Sequence, residues 1–149
     1  MANVVPYSFP QELLKGTHDF VNNTIYIALY EAGSGAPYAV SDTVYASGTA
    51  NQVSGTGYTT GGKVLQNGTV ANQTNVATVT FDTISWTSAT FGAAYGVIYN
   101  NSASDKLVVV LDFGGTKSCS NGTFTITFPS TSSSGPGAAG TNSLISISS

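Results

Sequence analysis

The sequence predicts an all-β fold, an antiparallel β-sandwich of jelly-roll-like type with one short N-terminal helix. Three observations lead there. Short runs alternate apolar with polar residues, Gly- and Asn-rich stretches separate the runs, and a single segment carries helical punctuation. At 149 residues the chain fits one domain with a core of its own.

The helical segment is SFPQELLKG, residues 8–16. Ser8 and Gln11 stand at capping-box spacing, Pro10 falls in the first turn where its missing N–H costs nothing, and Gly16 can end the helix. Phe9, Leu13 and Leu14 are expected to face inward. About two turns of helix are not stable alone, so this piece must dock on something larger.

That larger body is a set of strands. TIYIALY (24–30) puts Ile25, Ile27 and Leu29 on one face, and a short strand is expected at 63–66. VATVTF (76–81) alternates Ala77, Val79 and Phe81 with threonines, after which Asp82 and Thr83 turn the chain. Strands at 90–99 and 106–113 flank the hairpin-length NSASD, and KLVVVLDF is apolar on both faces, as a central strand would be. TFTITFP (123–129) alternates Phe124, Ile126 and Phe128 with threonines. Residues 1–149 thus form a single β domain with an N-terminal segment, 1–21, that holds the helix, and a Ser/Gly-rich C-terminal arm, 130–149. The arm ends in LISIS (144–148), a strand for the parent sheet or for an exposed edge on a neighbour. Leu144, Ile145 and Ile147 are therefore the candidate assembly residues.

Composition narrows the function. Only 7% of residues are charged, there is no arginine, and Lys15, Lys63, Lys106 and Lys117 are scattered in a chain of net charge −3. Nucleic-acid binding draws on clustered cations and the counterions they release, so that class is excluded. No apolar run has the length of a membrane span, the N-terminus lacks the pattern of a secretory leader, and the lone Cys119 allows no internal disulfide. A surface of Ser, Thr, Asn, Gly and Tyr hydrogen-bonds well and repels weakly, which suits a protein packed against others.

Chemistry-bearing patterns are sparse. VSGTGYTTGGKV (53–64) resembles a phosphate-binding loop, but Val64 stands where a magnesium-binding Ser or Thr is needed, and no strand and helix flank it. His18 is the only histidine and reads as a surface or capping residue. Glu12, Asp19, Glu31, Asp42, Asp82, Asp105 and Asp112 are spread out, with no calcium loop, and metal-binding Cys/His clusters are absent. DFGG (112–115) reads as a strand end followed by a turn, and Cys119 as a small loop residue. The expectation is a non-enzymatic protein with no cofactor and no metal; a carboxylate hydrolase is a distant rival. Trp86, Phe81 and Phe91 read as core. Tyr7, Tyr26, Tyr30, Tyr95 and Tyr99 are assigned to inter-subunit contacts or, alternatively, to a sugar-binding platform.

The order of several segments carries a resemblance. MANVV, SF, LLKGTHDFVNNTIYIALY, then VSGTGYTTGGKVL, TVTFDTISWTSATF, AYGVIYN, LVVVLDFGG and GTFTITF resemble a family of small structural proteins of tailed bacteriophages across nearly the whole chain. Asn22 and Asn23 depart from it, standing where acidic residues are usual. The resemblance implies a virion protein, foremost a capsid decoration (cement) protein. Such a protein would form a homo-oligomer, a trimer, on the major capsid protein; a tail, neck or fibre component, with glycan binding, is the alternative. It also implies that Gly55, Gly57, Gly61 and Gly62 serve turn geometry under Tyr58, not phosphate.

Overall fold

In a computed structural model, residues 3–73, 76–128 and 144–148 are described. The expected all-β antiparallel, sandwich-like fold with one short helix is present. One helix, α1 (Phe9–Leu14), precedes β1 (Ile25–Tyr30), β2 (Lys63–Val64), β3 (Thr69–Gln73), β4 (Val76–Thr80), β5 (Ile84–Asn100), β6 (Lys106–Ile126) and β7 (Ile145–Ser148). Two sheets result, with orders β2-β1-β5-β6 and β3-β4-β7, antiparallel throughout.

The larger sheet is buried on both faces where β1 meets β5. Ile25, Ile27 and Leu29 join Phe9, Phe20, Phe81, Trp86, Phe91 and Phe124 in one core, on the side of α1 and β4. Ala28 and Tyr30, at the alternate positions, belong to a second core with Tyr38, Tyr45, Tyr95, Tyr99 and Leu107, roofed by residues from the long connection after β1. Its rings are ordered: Tyr45 stacks on Tyr99 at 3.9 Å between centroids, and Tyr26 lies on Tyr99 at 5.5 Å. Their hydroxyls are paired as well. Tyr30 meets Thr49 and Tyr38, Tyr99 donates to the Gly61 carbonyl, and Tyr58 accepts from the Leu29 amide.

Several expectations change. The strands expected at 106–113 and 123–129 are one strand, β6, and the strand expected at 90–99 begins at Ile84. DFGG does not end a strand: Tyr95 pairs with Asp112 and Ala93 with Lys117, so the surplus residues of β6 bulge out at Gly114 and Gly115, both at positive φ. Each half of β6 resembles a complete strand in sequence because the bulge uses the residues of a turn. KLVVVLDF lies in the outermost strand of its sheet, not a central one. It is apolar on both faces because both cores use it and because its outer edge is capped, by Val4 at Val110 and by Val44 at Lys106. β3, TVANQ, was not expected, since its polar residues and single exposed valine show no alternation.

The capping box is not made. Ser8 has helical backbone angles, its side chain makes no cap bond, and its Oγ is buried without a partner. Phe9 is buried and Leu13 packs on the core as expected, but Leu14 is fully open to solvent, and Glu12 is buried in its place.

The GTGYTTGG segment is structural, as the glycine reading supposed. Gly62 has φ +84°, and a Cβ there would collide with the Ile27 carbonyl oxygen. Gly55 has an ordinary φ, but a Cβ would strike the Thr90 carbonyl. Lys63, the would-be phosphate ligand, donates to the Ser85 carbonyl at 2.6 Å and lies over the Trp86 ring.

Gly62→Ala is therefore expected to lower unfolding free energy by roughly 2–4 kcal/mol in a urea titration. Gly114→Ala, with open space but φ +70°, should cost about 1–2 kcal/mol. Equal losses would show that backbone angle alone matters at Gly62. Burial holds the phenols of Tyr30, Tyr45, Tyr58 and Tyr99 above the usual tyrosine range. A raised phenol stabilises the fold below its unfolded pKa, and that contribution is lost as pH rises beyond it. In an absorbance titration these four of the eight tyrosines should stay un-ionised past about pH 10 and ionise only as the chain unfolds.

Candidate assembly surface

β7 pairs within its own chain. Ile145 stands opposite Val79 and Ile147 opposite Ala77 on β4, and the Leu144 amide donates to the Val79 carbonyl at 3.0 Å. Leu144 and Ile145 are half-buried against the first core. Of the two destinations the sequence left open for this strand, the structure has the parent sheet. The rest of the arm, 130–143 and 149, lies outside the described residues.

Beside Leu144 runs an apolar groove that sequence reading did not find. One part, about 250 Å³, is lined by Leu111, Phe113, Ile126, Phe128 and Leu144, with Asn3 and Asp112 at its polar side. The next part, about 360 Å³, shares Phe113 and Ile126 and adds Lys117, Thr123, Phe124 and Thr125. Most of these residues come from one strand. The bulge coils β6 so far that the Phe113 and Phe124 rings come within 6.5 Å. Alternation within 123–129 was legible; that its apolar face meets Phe113 depends on the bulge and was not.

The outer edge of β6 changes character along its length. Val4 exchanges two backbone hydrogen bonds with Val110, at 2.9 and 2.8 Å, and Asn3 Oδ1 accepts from the Asp112 amide. From Phe113 to Ile126, no described strand pairs with that edge. Asp112 Oδ1 accepts from the Gly114 amide, and this bond holds its carboxyl below the usual range. A second exposed apolar patch lies around the N-terminal segment, where the Tyr7 amide donates to the Val40 carbonyl and Val5, Tyr7, Val40 and Val44 are all exposed.

Other candidates are placed as follows. Tyr30, Tyr95 and Tyr99 are buried in the chain's own second core and Tyr26 packs on it, so four of the five tyrosines assigned to subunit contacts are engaged internally; Tyr7 alone is fully exposed. Trp86, Phe81 and Phe91 are core, as expected. Cys119 is half-buried, its Sγ 3.7 Å from the Phe91 carbonyl. Among the described residues no three of His, Cys, Asp and Glu gather as a metal site would require. No described helix is long and apolar enough to cross a membrane.

His18 is not a surface residue. It is buried, with Nε2 3.0 Å from Glu12 Oε2, and Lys106 Nζ lies 3.3 Å from Glu12 Oε1. Burial would raise the Glu12 pKa, but hydrogen bonds from His18 and Lys106, with the lysine's charge, outweigh it and hold the carboxyl below its ordinary value. The signal available in sequence was Glu12 in the first turn of the helix, six positions before His18, and it could not be read without the fold of the connecting turn.

Compared with known proteins, the chain matches no family model, no curated protein and no solved structure.

Removing residues 144–149 exposes the surface under Leu144 and Ile145, and should cost about 2 kcal/mol of stability from half-burial of two large aliphatic side chains. A urea midpoint that does not move would mean that β7 contributes nothing to the monomer.

Proposed function

We propose that this chain is a non-enzymatic structural protein of a tailed-bacteriophage virion, a capsid decoration protein that self-associates, as a trimer, and binds the major capsid protein. The observation that carries the reading is the β6 edge from Phe113 to Ile126, which no described strand pairs with, running beside an apolar groove on a surface almost without charge. An edge strand with free N–H and C=O groups is a template for another chain, and the groove offers sites for that chain's side chains. The order of sequence segments, which resembles that of small phage structural proteins, supports the same reading.

Contacts built from neutral hydrogen bonds and apolar surface depend little on ionic strength, because there is little charge to screen. Such an interface suits a particle that must survive changing media. The alternative of a tail, neck or fibre component stays within the same class. Its glycan-binding form has less support, since most tyrosines that would build a platform are buried in the second core.

Light scattering provides the test. A trimer is expected at low salt and again at about 1 M salt, where the Debye length is only about 3 Å. Thr123→Lys, which adds a second lysine to the groove part that Lys117 already lines, should dissociate it while leaving the circular dichroism unchanged. Wild-type protein that is monomeric at all concentrations, or a trimer that falls apart in salt, would overturn this reading.

A further inference from the structure

The polar group beneath α1 has a direction. His18 has a fully enclosed side chain against the rings of Phe9 and Phe20, with centroids at 5.2 and 5.9 Å. Its Nε2 faces Glu12 Oε2, and its Nδ1 lies 3.2 Å from Nδ2 of Asn100, a residue wholly shut off from solvent. Asn100 Nδ2 also donates to Asn23 Oδ1 at 2.8 Å, and that oxygen accepts the backbone N–H of Asp19 at 3.0 Å.

A backbone N–H can only donate. Asn23 must therefore present its oxygen, Asn100 must present its amide nitrogen to that oxygen, and His18 Nδ1 must meet an N–H with a lone pair. The ring hydrogen then belongs on Nε2, where it donates to Glu12. A second proton, on Nδ1, would point at an amide N–H. Turning Asn100 to receive it sets its oxygen against Asn23 Oδ1, and turning Asn23 in response sets its amide against the Asp19 N–H. The closed arrangement has no acceptor for that proton.

The charged neighbours are Glu12 from α1 and Lys106 from β6. The Glu12 carboxylate attracts charge onto the ring, but the Lys106 ammonium already neutralises it. Glu12 itself acts in the same sense as the histidine. Its depressed pKa stabilises the fold above its unfolded value, and that contribution is lost as pH falls.

We propose that Glu12, His18, Asn23 and Asn100 form a pH-sensitive clasp that holds the N-terminal segment on the β5–β6 hairpin and releases it when His18 is protonated. The segment it holds contains α1 and Val4, which caps β6 at Val110. Opening would therefore uncover Phe9 and Phe20 and the edge of β6 at Val110. The proposal is independent of the virion reading.

The chain has one histidine, so its ring ¹⁵N signals are unambiguous. At neutral pH they should report the Nε2–H tautomer. Hydrogen-exchange protection factors for the Val4 and Val110 amides are then followed from about pH 7.5 to about pH 5, the range in which histidine ordinarily titrates. Protection at both is expected to fall at least about tenfold, roughly 1.4 kcal/mol, across that range, while Ile27 and Ile98 stay protected. His18→Gln, which can donate to Glu12 and accept from Asn100 without titrating, should hold its protection across the range. An Nδ1–H tautomer at neutral pH, a ring that takes up a second proton with Val4 and Val110 still protected, or protection at Val4 and Val110 that does not change across the range would each overturn the proposal. These wild-type readings decide the matter even if the glutamine variant fails to fold.

Discussion

Everything in this molecule is arranged around a sheet that must be covered twice. β1 and the adjoining half of β5 are apolar on both faces, Ile25, Ile27 and Leu29 to one side and Ala28, Tyr30, Val97 and Tyr99 to the other. A sheet with one wet face needs a single partner layer; this one needs two. The first is α1 together with β4, β7 and the aromatic residues of the curled hairpin. The second has no regular structure: the long connection after β1 supplies Tyr38 and Tyr45, and its backbone is tied down by the hydroxyls of Tyr38 and Tyr99. Tyrosine suits this role because its ring adds apolar area while its hydroxyl satisfies the polar backbone of an irregular layer.

The same requirement explains which parts of the fold were legible. Alternation with threonines located β4 and the far end of β6, because burial on one face leaves that pattern in the residue types, and unbroken apolar runs located β1 and the start of β6, which are buried on both. It did not show that β6 is continuous. The residues that make a bulge, Gly114, Gly115 and Asn121 at positive φ, are also those that end strands, and only the register with β5 separates the two cases. KLVVVLDF was rightly read as doubly buried. Its place at the margin of the sheet was hidden because Val4 and Val44, distant in sequence, cover its edge.

The candidate surface was less legible than the fold. Leu144 and Ile145 stood out as an apolar tail, and the structure has them in the parent sheet. The groove beside them depends on residues brought together by curvature, and curvature has no period. His18 shows the converse. A lone histidine after a helix is ordinarily a surface residue, and its burial here depends on Asn100, the end of a strand far along the chain, supplying a partner for its second nitrogen. Buried polar groups of this kind are specified by the partners that distant segments bring to them, a property of the folded whole that local sequence does not carry.

The central position of β1 has a consequence for how the chain is made. Synthesis delivers TIYIALY early, yet its partner on β5 runs from Tyr95 to Asn100 and emerges only after most of the chain. The β5–β6 hairpin needs only its own short turn and can form as soon as both arms are out, since contacts close in sequence cost little loop entropy. During elongation the most apolar strand of the protein must therefore wait, with at most the two residues of β2 beside it, for a template that the ribosome has not yet finished. That interval exposes a β-forming segment to other nascent chains, and it is where this protein would draw most on chaperones.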